Sequence, residues 1–226
     1  MLRRKGIILL TSAIVVVGFC FVLFGDRESQ PQYQGRSLSS WLAIYDDLDP
    51  TTFEQAEEAI QQIGTNALPY LLRWIQYEPP AWRTSLRDGV PSRIWDNSSF
   101  QRLISGRAGR RAAYARDGFR ILGTNAVPVL PELERLLKSN TRPMIVMNTR
   151  LALVSIGQPS IAVFERALAD TNQLYRYRIP MSLRVMARED GPAVYLPLLR
   201  QALTNDDRMV RENAATVLKV IETPSE

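Results

Sequence analysis

Apolar residues recur at helical spacing through most of the chain after residue 36. Two stripes of this kind predict the first amphipathic helices: Leu38, Trp41, Leu42 and Tyr45 in one, and Ala56, Ala59, Ile60 and Ile63 in the other. Ser37 stands at the N-cap of the first helix, and Thr51-Thr-Phe-Glu54 has the form of a capping box for the second. The pattern predicts an all-α protein.

One nine-residue segment occurs twice with few changes. Residues 63–71 read IGTNALPYL, and residues 122–130 read LGTNAVPVL. Looser copies follow with glycines at 157 and 191. The intervals between successive glycines, from 123 to 157 and from 157 to 191, are both 34 residues, since 157 − 123 = 34 and 191 − 157 = 34. Self-similarity at a fixed period in this range is typical of a helical repeat array.

Each copy predicts a helix, a corner and a second helix. Gly64 and Gly123 stand where a helix ends on a left-handed residue. The Thr-Asn pair after each glycine is expected to turn the chain and to cap the second helix. Pro69 or Pro128 then falls in the first turn of that helix, where a missing amide costs little. Small residues on the first helix are expected to let the second approach closely.

Residues 206–218 follow the pattern D-x-x-V-R-x-x-A-A-x-x-L. Together with the glycine-bounded pairs, this pattern resembles the HEAT repeat family, especially the short HEAT-like repeats first associated with phycobilisome lyases. The resemblance implies an inward-facing set and a polar ladder between repeats, which are Val210, Ala214 and Leu218, and Asp206 or Asp207 with Arg211.

Residues 33–222 are also similar to bacterial membrane-anchored HEAT-repeat proteins. The similarity depends on Tyr33-x-Gly35-Arg36-x-Leu38-Ser39-x-Trp41-Leu42 and on the two corners at 63–71 and 122–130. This implies an α-α superhelix of about five helical pairs over residues 37–222, with a binding or scaffolding role. A 34-residue period also suits tetratricopeptide repeats, but their W-x-x-L-G-x-x-Y pattern is absent.

Residues 1–25 form a separate segment. Three basic residues precede residues 7–24, which carry no charge and would span roughly 27 Å as a helix, about the hydrocarbon thickness of a bilayer. We expect a single-pass signal anchor with a cytoplasmic amino terminus, a juxtamembrane linker at 26–36 and an extracytoplasmic repeat domain. Signal cleavage followed by secretion, or a buried helix, are the alternatives.

The chain contains no histidine and one cysteine, Cys20. This composition excludes His-dependent nucleophilic catalysis and His-bearing zinc sites. We therefore expect no enzymatic activity, no cofactor and no metal. The acidic run at 46–49 lacks the glycine and glutamate of a calcium loop, and we interpret it as a helix boundary.

An insertion at about 77–106 breaks the repeat period, because the interval from Gly64 to Gly123 is 59 residues. Residues 73–120 carry ten arginines and four acids, whereas residues 26–72 carry two basic and eight acidic residues. Exposed tryptophan and arginine favour protein interfaces. The candidate partner-binding residues are Trp82, Arg83, Arg87, Arg93, Trp95, Arg102, Arg107, Arg110 and Arg111.

Several functions remain open at this point. The insertion is either a structural lid over the core or a surface for a protein partner of unknown identity. The main hypothesis is a non-enzymatic scaffold or adaptor in the bacterial envelope, and a lyase- or chaperone-like activity is the second. Nucleic-acid or polyanion binding through the arginine-rich segment 83–120 is a third. It is disfavoured because, without the three basic residues before the anchor, 25 basic residues face 23 acidic ones.

Overall fold

The computed structural model describes residues 29–45, 50–81, 85, 89–95, 98–139 and 142–223 of the 226. Pro31–Glu226 form one compact unit, separate from Met1–Gln30. Among the described residues, no helix combines the length and apolar character needed to cross a membrane. The predicted anchor at 7–24 lies outside the described residues.

The described part of the chain is mostly helical, so the all-α prediction is confirmed. Its helices are α1 (Leu38–Tyr45), α2 (Pro50–Ile63), α3 (Leu68–Ile75), α4 (Ser92–Trp95), α5 (Ser98–Leu122), α6 (Leu130–Ser139), α7 (Pro143–Ile156), α8 (Ile161–Ala169), α9 (Ile179–Asp190), α10 (Leu196–Ala202) and α11 (Arg208–Glu222). Short 3₁₀ turns span Gly64–Ala67, Gly123–Val129, Gln158–Ser160 and Arg176–Arg178. A small antiparallel hairpin pairs β1 (Gln32–Tyr33) with β2 (Arg36–Ser37).

The helices pack in the order of the chain. α2 contacts α5, α5 contacts α7, α7 contacts α9, and α9 contacts α11. In addition, α3 packs on α5, α6 on α7, and α10 on α11. This succession of helix–helix contacts is compatible with a helical repeat fold. The predicted stripes on α1 and α2 are buried, as are the three residues expected to face inward on α11.

All four repeat glycines adopt positive φ at the end of a helix. The φ values are 58° for Gly64, 49° for Gly123, 80° for Gly157 and 89° for Gly191. An L-residue with a side chain is strained in this region, which explains why glycine recurs there. The left-handed helix ends predicted for Gly64 and Gly123 are confirmed.

Two details of the predicted corner are wrong. No side chain caps α3, because the chain runs from the 3₁₀ turn into the helix with Ala67 already in helical conformation. Pro69 lies at the start of α3 as expected. Pro128, however, lies inside the 3₁₀ turn that precedes α6. In both corners the alanine three residues after the glycine, Ala67 or Ala126, is fully buried.

Close helix approach is visible at Gly118, where α5 passes α3. A Cβ atom added at Gly118 would lie 2.7 Å from Cδ2 of Leu71, which is itself fully buried. A larger residue here would force the core to shift. This crossing joins helices of two different pairs, so the expected close approach within a pair stays a prediction.

The segment predicted as a linker at 26–36 ends in the hairpin. Its turn residues, Gln34 and Gly35, have φ of 48° and 73°, and positive φ at both positions is typical of a type I′ hairpin turn. Trp41 donates from Nε1 to the Tyr33 carbonyl at 3.0 Å, and the Arg36 guanidinium lies 5.1 Å from the Trp41 ring centroid. The motif from Tyr33 to Trp41 thus joins the hairpin to α1.

The insertion contains helical structure. α4 lies within it, and α5 begins at Ser98 and continues for 25 residues. Gly109 lies in the middle of α5. The long first helix of this pair accounts for part of the broken period.

Candidate functional site: a cleft at the start of α7

The structure describes the predicted binding residues only in part. Trp82, Arg83 and Arg87 lie outside the described residues, and the side chains of Trp95, Arg102 and Arg107 are likewise not described. Arg93 is exposed on α4, whereas Arg110 and Arg111 are half-buried on α5. The structure therefore does not show these nine residues as one assembled surface.

Two arginines of the basic segment pack on aromatic rings. The Arg111 guanidinium lies 5.6 Å from the centroid of Trp74, a residue of α3 that is 5% exposed. Arg120 lies 5.3 Å from the ring centroid of Tyr45 and donates a hydrogen bond to its hydroxyl. Burial raises the pKa of Tyr45 above its ordinary value, while the positive charge of Arg120 lowers it. These cations connect α5 to α3 and α1.

A different set of residues forms a concave site. A cleft of about 150 Å³ opens at the amino-terminal end of α7, and we call it the α7 cleft. Its apolar walls include Pro143, Met144, Val146 and Met147 from α7, together with Tyr175 from the segment before α9. Arg150 and Arg178 complete it.

Helical geometry explains why α7 supplies most of this lining. Pro143 begins the helix, where its fixed φ is favourable. Met147 and Arg150 follow four and seven residues later, so all three side chains lie along one face. Arg142 precedes the helix in an extended conformation. The sequence Pro-Met-Ile-Val-Met-Asn-Thr-Arg thereby places apolar side chains and a cation beside one another.

The two arginines of the cleft have no acidic partner among the described residues. Arg150 is half-buried and donates from Nη1 to the Ser182 hydroxyl of α9 at 2.6 Å. Arg178 donates from Nε to the Tyr177 hydroxyl at 3.0 Å and lies over that ring. Burial, followed by the like charge of Arg178, lowers the pKa of Arg150 from its ordinary value. Both guanidinium groups nevertheless carry positive charge near pH 7.

The amino-terminal end of α7 adds to this positive potential, because α7 starts at the cleft. The dipole of an α-helix places partial positive charge at its amino-terminal end. The α7 cleft therefore combines two cationic side chains, the amino terminus of α7 and apolar walls.

Exposed apolar side chains occur in the cleft and on the neighbouring helix α9. Met144 and Met147 are 39% and 37% exposed, and on α9 Met181 and Val185 are 37% and 41% exposed. Met181 and Val185 are four residues apart and lie on one helical face. Methionine is flexible and polarizable, and it is frequent at surfaces that accept varied partners.

Polar contacts between successive pairs differ from those that the resemblance implied. Arg176 forms ion pairs with Asp206 at 2.9 Å and with Asp207 at 3.5 Å. Arg211 instead donates to the backbone carbonyls of Asn205 and Asp206. Asp207 also caps α11 by accepting from the Met209 amide. Asp206 and Asp207 do link adjacent helical pairs, but their partner is Arg176. Arg211 instead forms hydrogen bonds to the loop that precedes its own helix, α11.

Side-chain amides form a second set of links, which we call the amide ladder. Each amide donates to a main-chain carbonyl of an earlier segment. The pairs are Asn148 to Ile75 at 3.1 Å, Gln173 to Leu137 at 2.8 Å, Asn205 to Leu168 at 2.9 Å and Asn213 to Tyr177 at 2.7 Å. Three of the acceptors lie at or near the ends of α3, α6 and α8, where helix carbonyls lack intrahelical partners.

Neither the cleft nor the amide ladder was predicted from the sequence. A partial signal was present for two of the four donors: Asn205 belongs to a Thr-Asn dipeptide at 204–205, and Gln173 directly follows another at 171–172. For the cleft the signal was weaker. It consisted of methionines three residues apart, Met144 and Met147, followed by Arg150 at helical spacing.

Comparison with known proteins gave no match: neither a protein-family model, nor a curated protein, nor a solved structure matches this chain. Within the described ranges, no three His, Cys, Asp or Glu side chains lie close enough together to hold a metal ion. The α7 cleft is therefore the feature of the described residues whose geometry and charge indicate a function.

Proposed function

We propose that this protein is a non-enzymatic, membrane-anchored scaffold of HEAT-like repeats that binds a partner protein in the bacterial envelope. The succession of packed helices from α2 to α11 supports a superhelix of about five helical pairs. The uncharged segment 7–24 behind three basic residues supports a single-pass anchor with its amino terminus in the cytoplasm. The absence of histidine supports a binding role over catalysis.

The observation that carries the proposal is the α7 cleft with its exposed surroundings. Large apolar side chains and arginines without acidic partners occur side by side on α7 and α9. Arginine and large apolar side chains are common at the centre of protein interfaces, where a partner excludes water from them. A solvent-exposed surface of this composition is suited to a protein partner.

The test is recovery of the partner from cells. Full-length protein would be cross-linked in intact cells, extracted from membranes and purified, and the recovered proteins identified by mass spectrometry. We expect a specific partner with the native chain and its loss with the double variant Arg150→Met, Arg178→Met. The control is Arg200→Met, which removes an exposed arginine of α10 that pairs with Glu222 at 3.0 Å. An identical set of proteins from all three chains would refute the proposal.

A second experiment tests the location. A reporter that is active only outside the cytoplasm, fused after Glu226, is expected to give signal. A silent reporter, together with activity of a cytoplasmic counterpart at the same position, would exclude the envelope assignment. A mature chain beginning near Asp26 would show that the signal is cleaved and the protein secreted.

A further inference from the structure

The α7 cleft is small and has two chemical characters. Its volume of about 150 Å³ is below the 300–1,000 Å³ typical of small-molecule sites. A space of this size accepts a single amino-acid residue rather than a cofactor.

The charges define what that residue must carry. Arg150 and Arg178 line the same cleft, and neither has a carboxylate partner among the described residues. A guanidinium group presents a planar set of donors that matches the two oxygens of a carboxylate. The nearby amino terminus of α7 also favours an anion. The charge of the cleft is therefore suited to an anion of carboxylate size.

The occupant must also place an apolar group against the apolar walls of the cleft. Met144 and Met147 lie on the same helix as Arg150, within two turns. An occupant must therefore place a carboxylate and an apolar side chain only a few ångströms apart. The last residue of a polypeptide does so, because its α-carboxylate and its side chain branch from one Cα atom. Capture of a terminal carboxylate is a recurring mode of peptide recognition.

We propose that the α7 cleft binds the C-terminal residue of the partner protein. Its α-carboxylate lies between Arg150 and Arg178, and its apolar side chain lies against Met144 and Met147. This inference rests on the proposed scaffold function and specifies the part of the partner that is recognised. Ser182 holds Arg150 in position through the 2.6 Å hydrogen bond.

The test uses defined peptides and full-length protein in lipid nanodiscs. Four fluorescent peptides of one length share a Gly-Ser body. One ends in leucine with a free carboxylate, one is its C-terminal amide, one ends in serine with a free carboxylate, and one is an amide with an internal Glu-Leu pair. We expect saturable binding of the first by fluorescence anisotropy and at least about tenfold weaker binding of the other three, since charge-assisted hydrogen bonds or apolar contact are then lost.

Variants of the protein give the complementary test. Arg150→Met and Arg178→Met are each expected to weaken binding of the leucine peptide by about tenfold or more. Arg200→Met is expected to leave the binding affinity unchanged. Arg150→Lys is expected to fall between, because lysine retains the charge but not the planar pair of donors. Equal binding of the acid and the amide, or of the leucine and serine peptides, would overturn the inference. So would tight binding of the internal Glu-Leu peptide.

The two proposals fail in different ways. If the partner from cells still depends on Arg150 and Arg178 but the amide peptide binds as well as the acid, the scaffold function stands and the C-terminal assignment is wrong. If the acid peptide binds selectively but no cellular partner depends on the cleft, the scaffold proposal is wrong while the chemical selectivity of the cleft holds.

Discussion

Arginines on α5 and arginines at the α7 cleft look alike in the sequence but differ in their contacts. Arg111 and Arg120 stack on aromatic rings of other helices. Arg150 and Arg178 line a cleft, and no described carboxylate neutralises them. The local density of arginine is higher on α5. Density alone therefore does not identify a binding surface, because it does not distinguish an arginine that lies against a ring of another helix from one that lines a cleft.

The largest effect is expected where an α5 arginine meets its ring. Trp74→Ala removes a buried indole on which Arg111 lies, and we expect the free energy of unfolding to fall by about 3–5 kcal/mol. Urea unfolding of the full-length chain, followed by circular dichroism, would measure the loss. Arg111→Met, which keeps an apolar stem, is expected to cost about 1 kcal/mol or less. A Trp74→Ala chain as stable as the native one would show that this contact has no structural role.

A smaller effect is expected at Arg120 and Tyr45. These side chains share a hydrogen bond and a cation–π contact between α5 and α1. A double-mutant cycle with Arg120→Met and Tyr45→Phe should give a coupling free energy of about 1 kcal/mol. Additive effects of the two substitutions would mean that this arginine resembles those of the cleft.

The third prediction concerns a paired arginine outside α5. Arg166 of α8 pairs with Glu134 of α6 at 2.7 Å. The hydrogen bond from Arg166 lowers the pKa of Glu134 from 4.5 to about 2. Burial opposes this shift, and Lys138 reinforces it. The stabilisation is therefore complete above about pH 4.5 and disappears as the pH falls through 2.

Unfolding midpoints of native and Glu134→Gln chains should accordingly differ at pH 6 and converge near pH 2. The difference should also shrink at high salt, since the pair is partly exposed. A constant difference across this range would show that the substitution acts through packing rather than through the ion pair.

The smallest change in stability is expected at the cleft. Replacing Arg150 by methionine removes the desolvation cost of a half-buried charge, but it also removes the hydrogen bond to Ser182. These two effects oppose one another. We expect the unfolding free energy to stay within about 0.5 kcal/mol of the native value or to rise. Binding should be lost at the same time. A marked loss of stability would place Arg150 with the structural arginines.

Local rules made the helical corners predictable. Gly64 and Gly123 were identified because a left-handed helix end strongly prefers glycine. The buried stripe of α2 followed from helical periodicity, since Ala56 and Ile60 recur on one face and are both fully buried. These features depend on residues close together in the sequence.

The candidate site was less predictable because it depends on distant residues. Arg150 meets Ser182, which is 32 residues away, and shares its cleft with Tyr175 and Arg178. Sequence spacing does not show that Arg111 lies over an aromatic ring whereas Arg150 lines a cleft. The same limit applies to the hairpin: the signals for a turn at Gly35 were present, but not the contact between Tyr33 and Trp41.

The hydrogen bonds of the amide ladder all run in one direction along the chain. Its four donors follow their acceptors in the chain by 73, 36, 37 and 36 residues. Truncation from the carboxyl end therefore removes amide donors and leaves main-chain carbonyls without them. Carbonyl groups tolerate the loss of a hydrogen-bond partner better than N–H groups do. Truncation from the amino end instead leaves amides such as Gln173, which is 5% exposed, without an acceptor. Nested deletions compared by protease resistance should lose order faster from the amino end.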